Sequence, residues 1–362
     1  MGLLKKNNDN TGEDYHLFRY QWKGCVKMNN DKFFLTYNQQ MKKLRNDKNI
    51  DCQGSSHKQI LVRAGYFNIV NGYKTPFVSG QDANGNHSYI SGTSIGQLQA
   101  VKYFDDHLRS FLLRYITQVE EETRTLAGYK FDECNSNGSI PWYDIDAYSP
   151  KKSLQEKMNV ISQAYSELSK SQLDYVKFYM DNHKQIPTWI MFKVVNFSTF
   201  IELLNCSKID VSHSLCKLYG LYDKNGLYNV KLLIGSLHWF RRVRNSCAHN
   251  ERVYCLTRKN ASHGKTGRII EQYFSSLSRG YTQDLSQRIF DLLIYFKYYL
   301  PKSEYRQFIH ELKKMLLELQ AKIHPHAFDY VRGQMGIKNL ADLDLLIALP
   351  KSDIEYNKFD RS

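Results

Sequence analysis

The run Leu237-His238-Trp239-Phe240-Arg241-Arg242-Val243-Arg244-Asn245-Ser246-Cys247-Ala248-His249-Asn250-Glu251-Arg252-Val253 places guanidinium, amide and imidazole groups at the end of an apolar helix. At about 100° per residue, Leu233, Leu237, Phe240 and Arg244 share one stripe, so a guanidinium stands where the pattern asks for a further core residue. An arginine in that position needs a partner. Asn245 and His249, four apart, share a second face, which Arg241 or Arg242 extends upward and Arg252 extends downward. Arg244 and His249 are five apart, roughly 140° around an ideal helix. One helix therefore cannot aim both at a single atom unless it breaks between them or a second copy supplies the other half.

These residue types suit metal-free cleavage of RNA. An imidazole takes a proton from a 2′-hydroxyl, or gives one to the leaving oxygen, near neutral pH. A fixed guanidinium holds the phosphate and the charge that grows on it. No carboxylate pair, metal cage or other cofactor is required. Arg258-Lys259-Asn260-Ala261-Ser262-His263 has the same Arg-to-His spacing, but in a polar, Gly-flanked loop with no apolar helix before it. The opposing reading is a polar cluster of Arg244, Asn245 and His249 that ties helices together, since buried polar groups are ordinarily satisfied locally. Cys247 reads as a small core residue.

Composition narrows the class. The chain has 362 residues, 42% of them hydrophobic, enough for a sizeable core. Net charge is +14, and 26 Tyr and 19 Phe are interleaved with the Lys and Arg. Basic charge with aromatic faces favours nucleic acid as partner. The seven cysteines are scattered and form no C-x-x-C pair, which argues for a reducing compartment without a disulfide framework or zinc knuckle. Met1-Gly2-Leu3-Leu4-Lys5-Lys6-Asn7 lacks the apolar core of a signal peptide, and no run of about 18 apolar residues occurs, so a cytoplasmic chain with no membrane span is expected.

Periodicity predicts an all-α chain. Residues 1–30 read as a polar extension, 31–93 as an amino-terminal helical region, 94–345 as a helical core with inserted loops, and 346–362 as a tail. Thr36-x-x-Gln39 opens a helix ending near Lys48, and a second helix is expected from His57 to Val70 with Ile60, Leu61, Ala64 and Tyr66 or Phe67 inward. Residues 78–93, rich in Gly, Asn and Ser, read as a loop. Ser94-Ile95-Gly96-Gln97 caps the longest amphipathic run, and residues 130–150 break the helical pattern. Ser153-Leu154-Gln155-Glu156 caps a helix through about Asp181, and an apolar run after Pro187 ends at Leu204. The motif helix spans Tyr228 to Arg244. A basic loop at 256–268 carries Arg258, Lys259, Lys265 and Arg268, and two helices flank Pro301.

Arg244-Asn245-Ser246-Cys247-Ala248-His249 resembles the R-N-x-x-x-H form of the motif of HEPN-domain ribonucleases. Its continuation through Arg252 is similar to the abortive-infection Abi-like (AbiD/AbiF) family of phage-defence proteins. Four further stretches carry the resemblance in family order. Leu35-Thr36 to Gln40 and Gly65-Tyr66-Phe67 to Pro76-Phe77 resemble an L-T-x-x-x-Q helix and a G-Y-Y-x-x-x-G-Y-x-x-P-F segment. Phe104-Asp105-Asp106-His107-Leu108-Arg109, followed by Val119-Glu120 to Arg124, resembles F-D-x-x-L-R before I-E-x-x-x-R. Pro187-Thr188-Trp189 resembles P-x-W, although Asn196-Phe197-Ser198-Thr199 lacks the family's usual glycine. Met335-Gly336 resembles the closing M-G.

The resemblance implies a HEPN-like helical bundle with an added amino-terminal region, two motifs facing one another across a homodimer, and RNA as substrate. It implies His249 as general base or acid, Arg244 on phosphate and Asn245 orienting either. Arg241, Arg242 and Arg252 with the basic loop would bind RNA. Arg109 and Glu120 or Glu121 either orient active-site groups or form surface ion pairs. Some relatives are linked to a small structured noncoding RNA, so the alternative is a noncatalytic RNA-binding partner in a toxin–antitoxin-like pair. A DNA-binding regulator has little behind it, since no helix-turn-helix with a basic recognition helix is visible.

Overall fold

The helix that organises the chain begins where Ser94 caps it, and its buried stripe then runs from Ile95 to Phe131, apolar except at Asp105, Arg109, Thr123, Arg124 and Gly128. The computed structural model describes residues 34–81, 86–183, 185–222, 226–257 and 288–348. Within these, α1 (Tyr37–Lys48) and α2 (Gly54–Ala64) lead to a hairpin of β1 (Val78–Gln81) and β2 (His87–Tyr89) and then to α3 (Ile95–Cys134). After a turn region follow α4 (Leu154–Ser169), α5 (Asp174–Asn182), α6 (Thr188–Val194), α7 (Phe197–Cys206), α8 (Ile209–Tyr219) and α9 (Val230–Ala248). Beyond residue 287 come α10 (Ile289–Tyr299), α11 (Lys302–Gln320), α12 (Pro325–Gln334) and α13 (Ala341–Ala348). The fold is all-α, and its elements from Tyr37 onward cluster as one compact unit.

At 1.5 Å per residue, α3 is about 60 Å long. It packs against α2, α6, α8, α9 and α11, so most of the core is laid along it. The Ser94 Oγ accepts from the Gln97 N–H at 3.3 Å. Gln97 Oε1 makes no return bond, so only half of the capping box forms. On the motif helix α9, Leu233, Leu237 and Phe240 are fully buried. Each such side chain contributes about 1.5–3 kcal/mol. Phe240 meets Phe296 and Tyr299 of α10 at ring separations of 4.9 and 5.1 Å.

Several boundaries differ from the periodic reading. The helix expected over 57–70 stops at Ala64, because Gly65 takes φ +75°. A π-helical turn, Phe67–Asn71, follows. Tyr66 packs inward and Phe67 is exposed. Residues 78–93 hold the β1–β2 hairpin as well as loop. The helix opened by Ser153 does form its full capping box, but it ends at Ser169 and α5 is separate. The apolar run to Leu204 is split at Asn196, whose side chain caps α7 by accepting from the Thr199 N–H. Helix α8 was not expected from the sequence. The extension at residues 1–30 and the basic loop lie outside the described residues.

Candidate functional site at the end of the motif helix

Asn229 starts α9, its Oδ1 accepting from the Leu232 N–H at 3.0 Å. The helix ends at Ala248, but His249 remains in helical register: its N–H donates to the Asn245 carbonyl at 2.9 Å and its φ and ψ are −88° and 9°. The chain turns only at Asn250, which adopts φ +61°. The helix therefore breaks one residue too late to swing the imidazole toward Arg244, and the wide angle between the two side chains persists.

Arg244 sits on the expected stripe, and its buried Nε makes no hydrogen bond but only a long ion-pair contact. Its Nε lies 3.8 Å from Glu120 Oε2 on α3, and its side chain is 40% exposed. Glu120 Oε1 accepts at the same time from Arg124 Nε and Nη2, at 3.1 and 2.6 Å. Arg124 then spans to the far end of α6, donating through Nη1 to the carbonyls of Phe192 and Val195. Its guanidinium stacks over Phe200, 4.9 Å from the ring centre. Burial holds Arg124 below its ordinary pKa, partly offset by Glu120. One carboxylate thus carries a buried guanidinium on one oxygen and a half-exposed one beside the other. Neither Glu120 nor Arg109 makes a plain surface ion pair.

A second network anchors the segment after His249. Asp105, fully buried on α3, accepts from the backbone N–H groups of Val253 and Tyr254 at 3.0 and 2.9 Å. Its other oxygen accepts from the Tyr73 hydroxyl at 3.0 Å and from Arg109 Nη1 at 2.9 Å. Arg109 also donates to the Glu251 carbonyl at 3.1 Å. Burial pushes the Asp105 carboxyl up from its ordinary range, against the pull of the Tyr254 N–H, Arg109, Tyr73 and the Val253 N–H. Ser246 Oγ donates to Glu251 Oε2 at 2.6 Å, closing the turn around His249. Asp105 was not singled out as a site residue in the sequence. Its signal was there, since it occupies a core position in the stripe Leu98, Val101, Asp105, Leu108, Leu112, just as Arg244 does on α9.

Asn245 is half-buried and its Oδ1 accepts from Arg244 Nη1 at 3.3 Å, while His249 is exposed. Arg241 and Arg242 are half-buried on the same helix, with Arg241 Nη1 donating to Ser198 Oγ at 3.2 Å. Arg252 donates to the Gly72 carbonyl at 2.7 Å, so it fastens the π-turn segment to the post-helix loop. Arg258, Lys259 and Lys265 lie outside the described residues. Cys247 is buried, and burial pushes its thiol up to about 12, unlike a nucleophile's depressed value. Among the described residues no group of three or more His, Cys, Asp or Glu is placed to hold a metal ion. Nor is any described helix long and apolar enough to cross a membrane.

The arrangement offers an exposed imidazole, a half-buried amide and a positioned guanidinium around one helix end. A family model described as Abi-like protein matches residues 59–255, which take in Asp105, Glu120, Arg124, the motif helix and its anchored loop. No curated protein and no solved structure matches the chain.

Proposed function

We infer function from one premise, that this chain belongs to the Abi-like protein family. That family suggests abortive-infection phage defence. We propose that the chain acts there as a metal-independent endoribonuclease of the HEPN type that binds RNA and works as a homodimer. His249 takes the proton of a 2′-hydroxyl as its oxygen attacks phosphorus, and the bond to the 5′-oxygen breaks. The proton returns to that leaving oxygen, giving a cyclic phosphate on one fragment and a 5′-hydroxyl on the other. Arg244 holds the phosphate and the charge growing on it, and Asn245 orients a phosphate oxygen or the imidazole. Arg241, Arg242, Arg252, Arg258, Lys259 and Lys265 are the proposed phosphate contacts along the RNA.

One observation carries this reading. Val243, Ser246 and Cys247 are buried on the same two turns in which His249 is exposed, Asn245 is half-buried and the Arg244 side chain stays 40% exposed beside Glu120, which supports an imidazole and part of a guanidinium open to a ligand. The test is purified protein with RNA in excess EDTA. The wild type cuts and leaves cyclic-phosphate ends, while His249→Ala keeps its helicity and loses cutting by at least about 100-fold. Unchanged cutting by His249→Ala would remove this site from the chemistry.

A further inference from the structure

Helix α5 is nearly unpacked, for Val176 is the one residue of its nine that is buried. Its rings face outward and meet those of the following turn. Phe178 is 54% exposed and Trp189, at the start of α6, 55% exposed. Between them Tyr179 stacks on His183 at 4.7 Å and meets Trp189 edge-on at 5.7 Å. Phe178 closes the group, 5.6 Å from the His183 ring. The Lys193 ammonium lies 5.7 Å over the neighbouring Tyr175 ring. Three exposed rings, Phe178, His183 and Trp189, held around a half-buried Tyr179 are a surface suited to flat apolar groups.

Its position says which. The Trp189 backbone packs directly on Gly128 of α3, where an added Cβ would stand 3.6 Å from the Trp189 Cα. Gly128 is eight residues, about 12 Å, along α3 from Glu120, the carboxylate that holds Arg244. The ring cluster and Arg244 are thus tied to one stretch of α3, about 12 Å apart along its axis, and Arg241, Arg242 and Arg244 supply the charge that a phosphate chain needs. Around α5 itself Asp174 and Asp181 offset Lys177 and Lys193, so contact there is made by ring faces more than by charge.

We infer that Phe178, Tyr179, His183 and Trp189 form a stacking site for unpaired bases of single-stranded RNA, one or two nucleotides away from a phosphate at Arg244. This rests on the ribonuclease reading for its choice of RNA. Bases in a duplex are stacked on each other and cannot use the rings, whereas every unpaired base has a face to offer. The site thus selects single-stranded over duplex RNA without reading sequence.

The test uses full-length His249→Ala protein, so that the probe stays whole, with a labelled 12-residue oligouridine and a 12-base-pair RNA duplex. Adding Phe178→Ala and Trp189→Ala together weakens oligouridine binding by about tenfold per ring and leaves duplex binding within about twofold. Trp189→Phe, which keeps a ring, retains the affinity. In Trp22→Phe protein without these two alanines, oligouridine quenches tryptophan emission, and adding Trp189→Phe removes most of that quenching because Trp142 and Trp239 are buried. Equal single-strand affinity with and without the rings overturns the proposal. So does loss of self-association in place of RNA binding, which would make the patch a protein-docking face. If the rings govern binding but wild-type protein does not cut RNA, the stacking site stands and the ribonuclease reading falls.

Discussion

Glu120 shares its charge between two guanidinium groups, and the division decides what each arginine does. Arg124, buried, spends its donors on Glu120 and on the α6 carbonyls, whereas Arg244 receives only a long contact at Nε and keeps its outer nitrogens near solvent. Removing the charge while keeping the shape strands a buried cation. Glu120→Gln is expected to cost about 3 kcal/mol in urea unfolding and to lower RNA cutting more than Glu120→Asp does. The buried thiols give a pH dependence whose sign follows from linkage. The Cys247 thiol is held at about 12 in the fold and Cys52 at about 11, mainly by burial, while an unfolded thiol loses its proton near 8.5. Above that value the unfolded chain binds fewer protons than the folded one, so stability falls as pH rises, by up to about 1.4 kcal/mol per pH unit for each such thiol. Urea midpoints between pH 8 and 10 are expected to decline, and Cys247→Ala to decline less steeply. A midpoint independent of pH would show these thiols titrating alike in the folded and unfolded chain.

At the scale of elements, the joints between helices carry the information that the helices themselves do not. Asn196 caps α7, and Glu167 grips it by accepting from its backbone N–H and its side chain while also accepting from Thr199 Oγ1. Asn196→Ala is expected to lower stability by about 1 kcal/mol or more in thermal unfolding, since Glu167 loses a partner with the cap. Helices with a strong stripe and a cap, such as α3 and α4, were legible in the sequence, as were the Arg244 stripe and the wide angle to His249. Breaks at Gly65, at residues 170–173 and at Asn196 were not, because apolar spacing continues across them while a single backbone dihedral or side-chain cap ends the helix. Helix α8 was missed for a related reason. Val211, Leu215, Cys216 and Tyr219 are spaced helically, but Ser, His and β-branched residues weaken its propensity, and packing on α3 and α9 supplies what propensity lacks. The Asp105 and Arg124 anchors belong to contacts about 70 to 150 residues apart, which no local pattern announces.

The whole molecule carries a charge of +14, and its motif displays a guanidinium and an imidazole on different sides of one helix end. Binding to RNA is expected to weaken linearly on a logarithmic salt scale, with a shallower slope after Arg244→Ala. Because α9 remains in register through His249, the proposed homodimer would supply Arg244 from one copy and His249 from the other to a single phosphorus. The most direct measurement co-expresses Arg244→Ala and His249→Ala chains under different tags and assays RNA cutting by the purified hetero-pair beside each variant alone. Each single variant is expected to be inert. In the hetero-pair one of the two composite sites is whole, so the purified hetero-pair should recover roughly half of wild-type cutting. A hetero-pair as inert as its parents, while wild-type pairs cut, would contradict the account.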